Sequence, residues 1–359
     1  MENKFKTCSL LFFSFLLLII SFLFIELYFR INLHLMDKCN SKQFGYIRQN
    51  PFFTEAYGLS LWEEQWWSYK KNVKSNKIMM NEKLYVRMNN YGFRSHDIHM
   101  PKPKNVYRII CIGGSTTVEG VTNEKTYPAI LERYLRDYFK TDTIEVVNCG
   151  ISGLDSETEK MKVCEFIQLE PDLFIEYNAV NDIFWKMFKP WRQTKKPLWK
   201  RILSKSIFMQ KVLIRFLIPP DKYVINFFET FTIPNLEVIY QEVSKSNKEI
   251  IFCTFIAPDV SKLNNKEVSY FEYTIRNFWR GGFLPLKDYC RYVSIYNDRL
   301  KKMCKEKNIK CIPLGENFHG GIDNFSDIAH LTSKGIKKKA GIIFYYLKDM
   351  GIRRTDYGY

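Results

Sequence analysis

Tyr107-Arg108-Ile109-Ile110-Cys111-Ile112-Gly113-Gly114-Ser115-Thr116-Thr117 is the stretch from which the fold can be read. The apolar run Tyr107–Ile112 reads as a strand, and two glycines after it let the chain turn so that Ser115 leaves the strand end. From Asn105 onward strands and helices alternate. A helical stripe of Ile130, Leu131, Tyr134, Leu135 and Tyr138 predicts a helix over Tyr127–Phe139. Strands follow at Ile144–Val147, Leu173–Tyr177, Glu249–Phe255 and Lys310–Pro313, with helices near Glu157–Gln168, Asp288–Lys307 and Ser333–Lys348. Strands separated by helices call for a parallel sheet covered on both faces, an α/β fold of three layers, α/β/α. In such sheets, ligands bind at the C-terminal strand ends. The segments at Gly113, Asn148 and Asn178 each follow a strand directly and are expected to converge there.

Near the chain end, Asp327-Ile328-Ala329-His330-Leu331-Thr332 puts a carboxylate three residues before an imidazole, just ahead of a predicted helix. A serine hydroxyl is a poor nucleophile until an imidazole accepts its proton, and the imidazole needs a carboxylate to hold its tautomer. Ser115, His330 and Asp327 are therefore the candidate catalytic residues of a nucleophilic hydrolase. The sequence holds five histidines. His34 abuts the apolar N-terminus, His96 and His99 precede the alternating region, and His319 has no carboxylate three places earlier. No Gly-Lys-Ser/Thr follows Gly113-Gly114 as a phosphate loop requires, and no G-x-S-x-G elbow is present. Asp182 is expected to begin a helix or brace its loop.

Four blocks in order, Gly113-Gly114-Ser115-Thr116-Thr117, Asn148-Cys149-Gly150-Ile151-Ser152-Gly153, Asn178-Ala179-Val180-Asn181-Asp182 and Asp327-Ile328-Ala329-His330, resemble those of the SGNH (GDSL-like) hydrolases. The resemblance covers about Asn105 to Asp349. It implies a flavodoxin-like parallel sheet, the SGNH hydrolase fold, and ester cleavage without metal or organic cofactor. It also implies an oxyanion hole made by the N–H of Ser115, the N–H of Gly153 (Gly150 being the alternative) and the side-chain amide of Asn181. The family's usual aspartate before the serine is replaced by Gly114, as in related membrane-anchored members. Asn90-Tyr91-Gly92-Phe93-Arg94 resembles a segment found upstream of this domain in tethered relatives. Arg94 there is expected to hold either the domain itself or an anionic substrate group.

Cys8 to Ile25 carries no charge, and Leu27-Tyr28-Phe29 prolongs the run after Glu26, enough to span a bilayer as a helix. No alanine precedes Ala56, so an A-x-A-like cleavage site is missing and an uncleaved anchor is expected. Residues 1–30 are read as the anchor, 31–104 as an aromatic-rich accessory segment, and 105–350 as the hydrolase-like domain with a basic insertion at 183–220. Lys4 and Lys6 precede the span while Arg30, Lys38 and Lys42 follow it, so charge leaves orientation open. A short inner N-terminus with the domain outside the cytoplasm is the expected arrangement. The nine cysteines form no C-x-x-C pair, which argues against a disulfide scaffold or a cysteine metal site.

The formal charge of +16 is uneven: between Asp182 and Asp221 there is no acidic residue among ten basic ones, interleaved with Trp185, Trp191 and Trp199. This basic amphipathic segment suits either a membrane surface, an anionic substrate or plain packing on the domain. No nucleic-acid-binding module accompanies the charge. The expected partners are an acylated glycan or lipid substrate and the membrane. The leading function is a membrane-tethered serine esterase. Its rivals are an O-acyltransferase of surface polysaccharide and a catalytically silent envelope scaffold.

Overall fold

A computed structural model describes residues 2–48, 68–79, 82–193 and 205–351. Along the chain, a long helix α1 (Glu2–Arg48) precedes two antiparallel strands, β1 (Lys74–Met79) and β2 (Glu82–Arg87). Then comes a parallel sheet of β3 (Tyr107–Gly113), β4 (Ile144–Asn148), β5 (Leu173–Tyr177), β6 (Glu249–Cys253) and β7 (Cys311–Ile312). Its spatial order is β4-β3-β5-β6-β7, the doubly wound flavodoxin-like arrangement. The chain winds outward from β3 in both directions, so the topological switch lies beside β3. Gly113 is level with Tyr177 in the β3–β5 register, which brings the segments after both strands to one edge.

The helices that matter to the site are α2 (Ser115–Val118), α3 (Tyr127–Phe139), α4 (Ser156–Ile167), α5 (Ile207–Val212), α6 (Ile233–Lys245), α7 (Asn265–Asn277), α8 (Leu286–Glu306) and α9 (Ser333–Asp349). α3 packs with α9 on one face of the sheet; α4, α6 and α8 pack together on the other. Strand β5 is buried throughout, and β3 from Arg108 to its end, as strands covered on both faces must be. Within α3, Ile130, Leu131 and Leu135 are buried, whereas Tyr138 is exposed and meets Phe344 edge-on at 5.8 Å. Cys111 and Cys253 are buried free thiols in strands.

The apolar N-terminal run is part of a helix that continues past residue 30 to Arg48, and no proline or glycine interrupts it before Gly45. Ser9–Ser41 is long and apolar enough to serve as a membrane anchor or a signal sequence. From Leu10 to Ile25 the large apolar side chains are exposed, while from Glu26 a stripe of Glu26, Phe29, Leu33, Asp37 and Asn40 is covered by the domain. The spacing is that of one helix face. Of the aromatic-rich segment, Trp62, Trp66 and Trp67 lie outside the described residues. Tyr69 is buried, with its hydroxyl accepting from the Ser152 N–H at 2.8 Å. In the basic insertion, Lys195, Lys196, Trp199, Lys200 and Arg201 also fall outside the described residues.

Candidate functional site

Ser115 begins α2 at the end of β3, and His330 stands in the loop before α9, 215 positions away. The fold brings the Ser115 hydroxyl within 2.8 Å of His330 Nε2. On the other side of the ring, Nδ1 lies 2.7 Å from Asp327 Oδ2. Asp327 is held in turn, because its Oδ1 accepts from the N–H groups of Ala329 and His330, both at 2.8 Å. The three-residue spacing folds into a tight turn that fixes the carboxylate under the ring. The structure thus brings together all three side chains singled out in the sequence.

Electrostatics favour protonation of the ring. Burial alone would lower the His330 pKa; the charge and hydrogen bond of Asp327, then the Glu119 carboxylate, outweigh it and raise the pKa. That shift makes His330 a stronger proton acceptor than a free imidazole.

Around Ser115 the N–H groups sort themselves. The Ser115 N–H is in the first turn of α2 and has no acceptor within the helix. In the loop after β4, Cys149 donates to Cys111 O, Gly150 to Asn148 Oδ1, Ile151 to Gly113 O, Ser152 to Tyr69 and Leu154 to Ile151 O. Gly153 is the one member of this run without an acceptor among the described residues, and its φ of +83° is a glycine conformation. Gly150, the alternative, has its N–H committed. Asn181 gives one amide hydrogen to Leu154 O at 2.7 Å, which leaves the second available.

The absence of a side chain at Gly114 has a steric reason. A Cβ on Gly114 would stand 2.9 Å from Asn181 Nδ2, 3.2 Å from Leu154 O and 3.3 Å from Asn178 Oδ1. The two asparagines occupy the space a side chain at 114 would need.

Three groups at the site were not singled out in the sequence. Glu119 is buried, one helical turn after Ser115, and its Oε2 accepts from the Leu331 N–H at 2.8 Å. Lys339 of α9 is also buried; it donates to Thr116 O at 2.6 Å, lies 3.6 Å from Glu119 Oε1, and sits 4.1 and 3.9 Å from the ring centres of Tyr127 and Tyr177. Burial first, against the attraction of the partner, pushes the Glu119 carboxyl up to about 7 and the Lys339 ammonium down to about 8. The pair ties the turn carrying Ser115 to the loop carrying His330. The third group is Trp279, whose ring stacks on His330 with centres 5.4 Å apart and planes 14° apart.

Other expected residues have supporting places. Asp182 accepts from the Ser156 N–H at 3.1 Å and so braces the loop after β5. Burial, despite the Ser156 hydrogen bonds, raises its pKa to about 6. Arg94 is fully buried and donates to the carbonyls of Val118 and Gly120, both at 2.8 Å, at the end of α2. It therefore holds the domain, as one of the two expected roles required. His319 is exposed on a loop.

No family model and no curated protein matches the sequence. Among solved structures, the fold is similar to a GDSL-like lipase from Bacteroides thetaiotaomicron, 16% identical over 70% of this chain and 93% of that chain, with a TM-score of 0.42. It is similar to a lipase/acylhydrolase from Enterococcus faecalis at 13% identity, over 68% of this chain and 97% of that one, with a TM-score of 0.44. An acetyl xylan esterase from Geobacillus stearothermophilus is 17% identical over 70% of this chain and all (100%) of that one, with a TM-score of 0.40. GDSL-like lipases and acylhydrolases, the kind of protein the four sequence blocks resemble, are thus among its structural neighbours.

Proposed function

We propose that the protein is a membrane-tethered serine esterase that removes O-acyl groups from an extracytoplasmic glycan or lipid. The supporting observation is the continuous hydrogen-bonded line from Ser115 Oγ through both nitrogens of His330 to Asp327. Ser115 Oγ attacks the acyl carbonyl as its proton passes to His330 Nε2, and Asp327 balances the imidazolium. The oxyanion takes hydrogen bonds from the N–H groups of Ser115 and Gly153 and from Asn181 Nδ2. Each such donor is worth roughly 2.7–4 kcal/mol in the transition state. His330 then gives its proton to the departing alkoxide. Water, activated by the same nitrogen, releases the acid from Ser115.

The test is hydrolysis of a short-chain aryl ester by the full chain, with Ser115→Ala as control. Hydrolysis that vanishes in the variant supports the reading, and equal rates refute it. A second reading keeps the acyl-enzyme but passes the acyl group to a sugar hydroxyl. It is favoured by the burial of Ser115 and His330, 4% and 1% exposed, which would shield the intermediate from water. Turnover that rises with an added sugar acceptor distinguishes transfer from hydrolysis.

A further inference from the structure

If the site works as proposed, the structure poses a problem of access: Ser115, His330 and Asn181 are all buried. What covers the imidazole is the segment that follows α7. Trp279 lies flat on His330 and Phe278 meets the same ring edge-on at 6.0 Å. The backbone immediately after them is left-handed at Arg280 (φ +53°) and Gly282 (φ +61°), a sparsely populated conformation at the first of these. Buried though it is, the Trp279 indole N–H has no acceptor among the described residues. Closure therefore leaves a donor unpaired, and opening would satisfy it.

The helix that leads into this cover packs on α1. Asn40 of α1 donates to Ser269 Oγ at 3.1 Å, and Asp37 pairs with Arg276 at 2.5 Å, so α7 runs back toward the apolar run as it approaches Trp279. At the level where that run ends, Glu26 accepts from the N–H groups of Ile207 and Phe208 at 3.0 and 3.1 Å, seating the start of α5 against the anchor. Lys211 of α5 lies over the Phe29 ring at 5.1 Å. Val212 and Phe216 are exposed beside it. Arg192, from the basic insertion, donates to Arg280 O at 2.7 Å and so couples the basic insertion to the cover. Lys189, Arg192, Lys205, Lys211 and Arg280 are all exposed.

We propose that this basic face seats on an anionic lipid surface, and that the contact draws Arg192 and Arg280 toward the headgroups and lifts Trp279 from His330. The proposal rests on the esterase reading for its purpose and on α1 as an anchor for its geometry. The occupant is the bilayer itself, because the face is continuous with the helix that would enter it and its charge is opposite to anionic headgroups. A site competent only in a minor open population reacts slower by that population, and binding that favours the open state restores the rate.

The test reads access without requiring ester chemistry. Full-chain protein carrying Ser115→Cys is placed in nanodiscs of phosphatidylcholine or of phosphatidylglycerol, and maleimide modification is followed on the peptide containing residue 115. Modification is expected to be about tenfold faster or more in phosphatidylglycerol. Adding Trp279→Ala should make it fast in both bilayers; adding Arg192→Gln with Arg280→Gln should make it slow in both. Equal rates in the two lipids with Trp279 intact, or no acceleration by Trp279→Ala, would overturn the cover. A lipid effect that survives the double arginine change would overturn the basic contact. Failure of the esterase reading shows separately, as wild-type protein in phosphatidylglycerol that cleaves no ester.

Discussion

Lys339 Nζ lies 3.6 Å from the Glu119 carboxylate, and neither side chain touches solvent. Through Thr116 O and the Leu331 N–H, this pair joins the two chain segments whose meeting the proposed chemistry requires. A buried pair is poor evidence of net stabilisation, but breaking it leaves one charge stranded.

Lys339→Met should therefore cost about 3–5 kcal/mol of unfolding free energy. Combining it with Glu119→Gln should recover part of that loss. Denaturant unfolding of the four proteins measures the coupling, and strictly additive losses would show that the two groups do not interact.

Glu119 also acts on His330 at a distance. Its charge is one of the influences that raise the imidazole pKa, and the base must be neutral to accept the Ser115 proton. Activity is thus lost as pH falls through the raised His330 value. Glu119→Gln should move the acid limb of kcat/KM to lower pH, and a limb that stays in place or moves upward would remove Glu119 from this role.

Asp327→Asn should be severe. Two N–H groups fix the oxygen at the Oδ1 position, so the amide of the variant must turn its NH2 toward His330 Nδ1. That donor stabilises the tautomer carrying hydrogen on Nε2, which faces Ser115 and cannot accept its proton. A fall in kcat of about 10⁴ is expected; a loss under tenfold would contradict the assigned geometry.

Gly114→Ala tests Asn181 as the proposed third oxyanion donor. The added Cβ meets Asn181 Nδ2 at 2.9 Å and must displace it. kcat should drop by about 10²–10³ with little change in KM. A variant with normal kcat would show that Asn181 stabilises no transition-state charge.

Behind the site, Glu159, Glu176 and Asp182 are buried together, and neither Glu176 oxygen has a hydrogen-bond partner among the described residues. Burial first, then the neighbouring carboxylates, raises the pKa of Glu176; Glu159 is raised by burial and Asp182 against its Asn178 hydrogen bond. A raised carboxyl pKa means that the folded state binds more protons than the unfolded one, so stability falls as pH rises through the window above the ordinary carboxylate range. Each such proton contributes a slope of up to about 1.4 kcal/mol per pH unit. Glu176→Gln should flatten this decline above the ordinary carboxylate range, as thermal melts across pH would show; an unchanged slope would mean that Glu176 is not protonated in the fold.

Parts of this architecture were legible because the signals are local. Strand β5 and helix α3 were bounded by the sequence itself, since apolar runs and helical spacing survive without knowledge of partners. Ser115, Asp327 and His330 each sit beside such a landmark. Lys339 was not legible: in Lys337-Lys338-Lys339 it looks like part of a solvated face, and only the rotation of α9 turns it inward. Trp279 carries no periodic signal, and its position over His330 depends on tertiary packing. β1 was missed because Lys74-Ser75-Asn76-Lys77 has no apolar alternation. The start of α7 was readable, since Asn264 and Glu267 form a capping box and Val268, Phe271 and Ile275 follow at helical spacing, although no helix was expected there.

The most direct measurement is a fluorophosphonate reaction with full-chain protein in phosphatidylglycerol bilayers, with the modified residue located by mass spectrometry. A covalent adduct on Ser115 that disappears in His330→Ala is the result the proposed chemistry requires. An unreacted Ser115, or an adduct formed equally fast without His330, would contradict it.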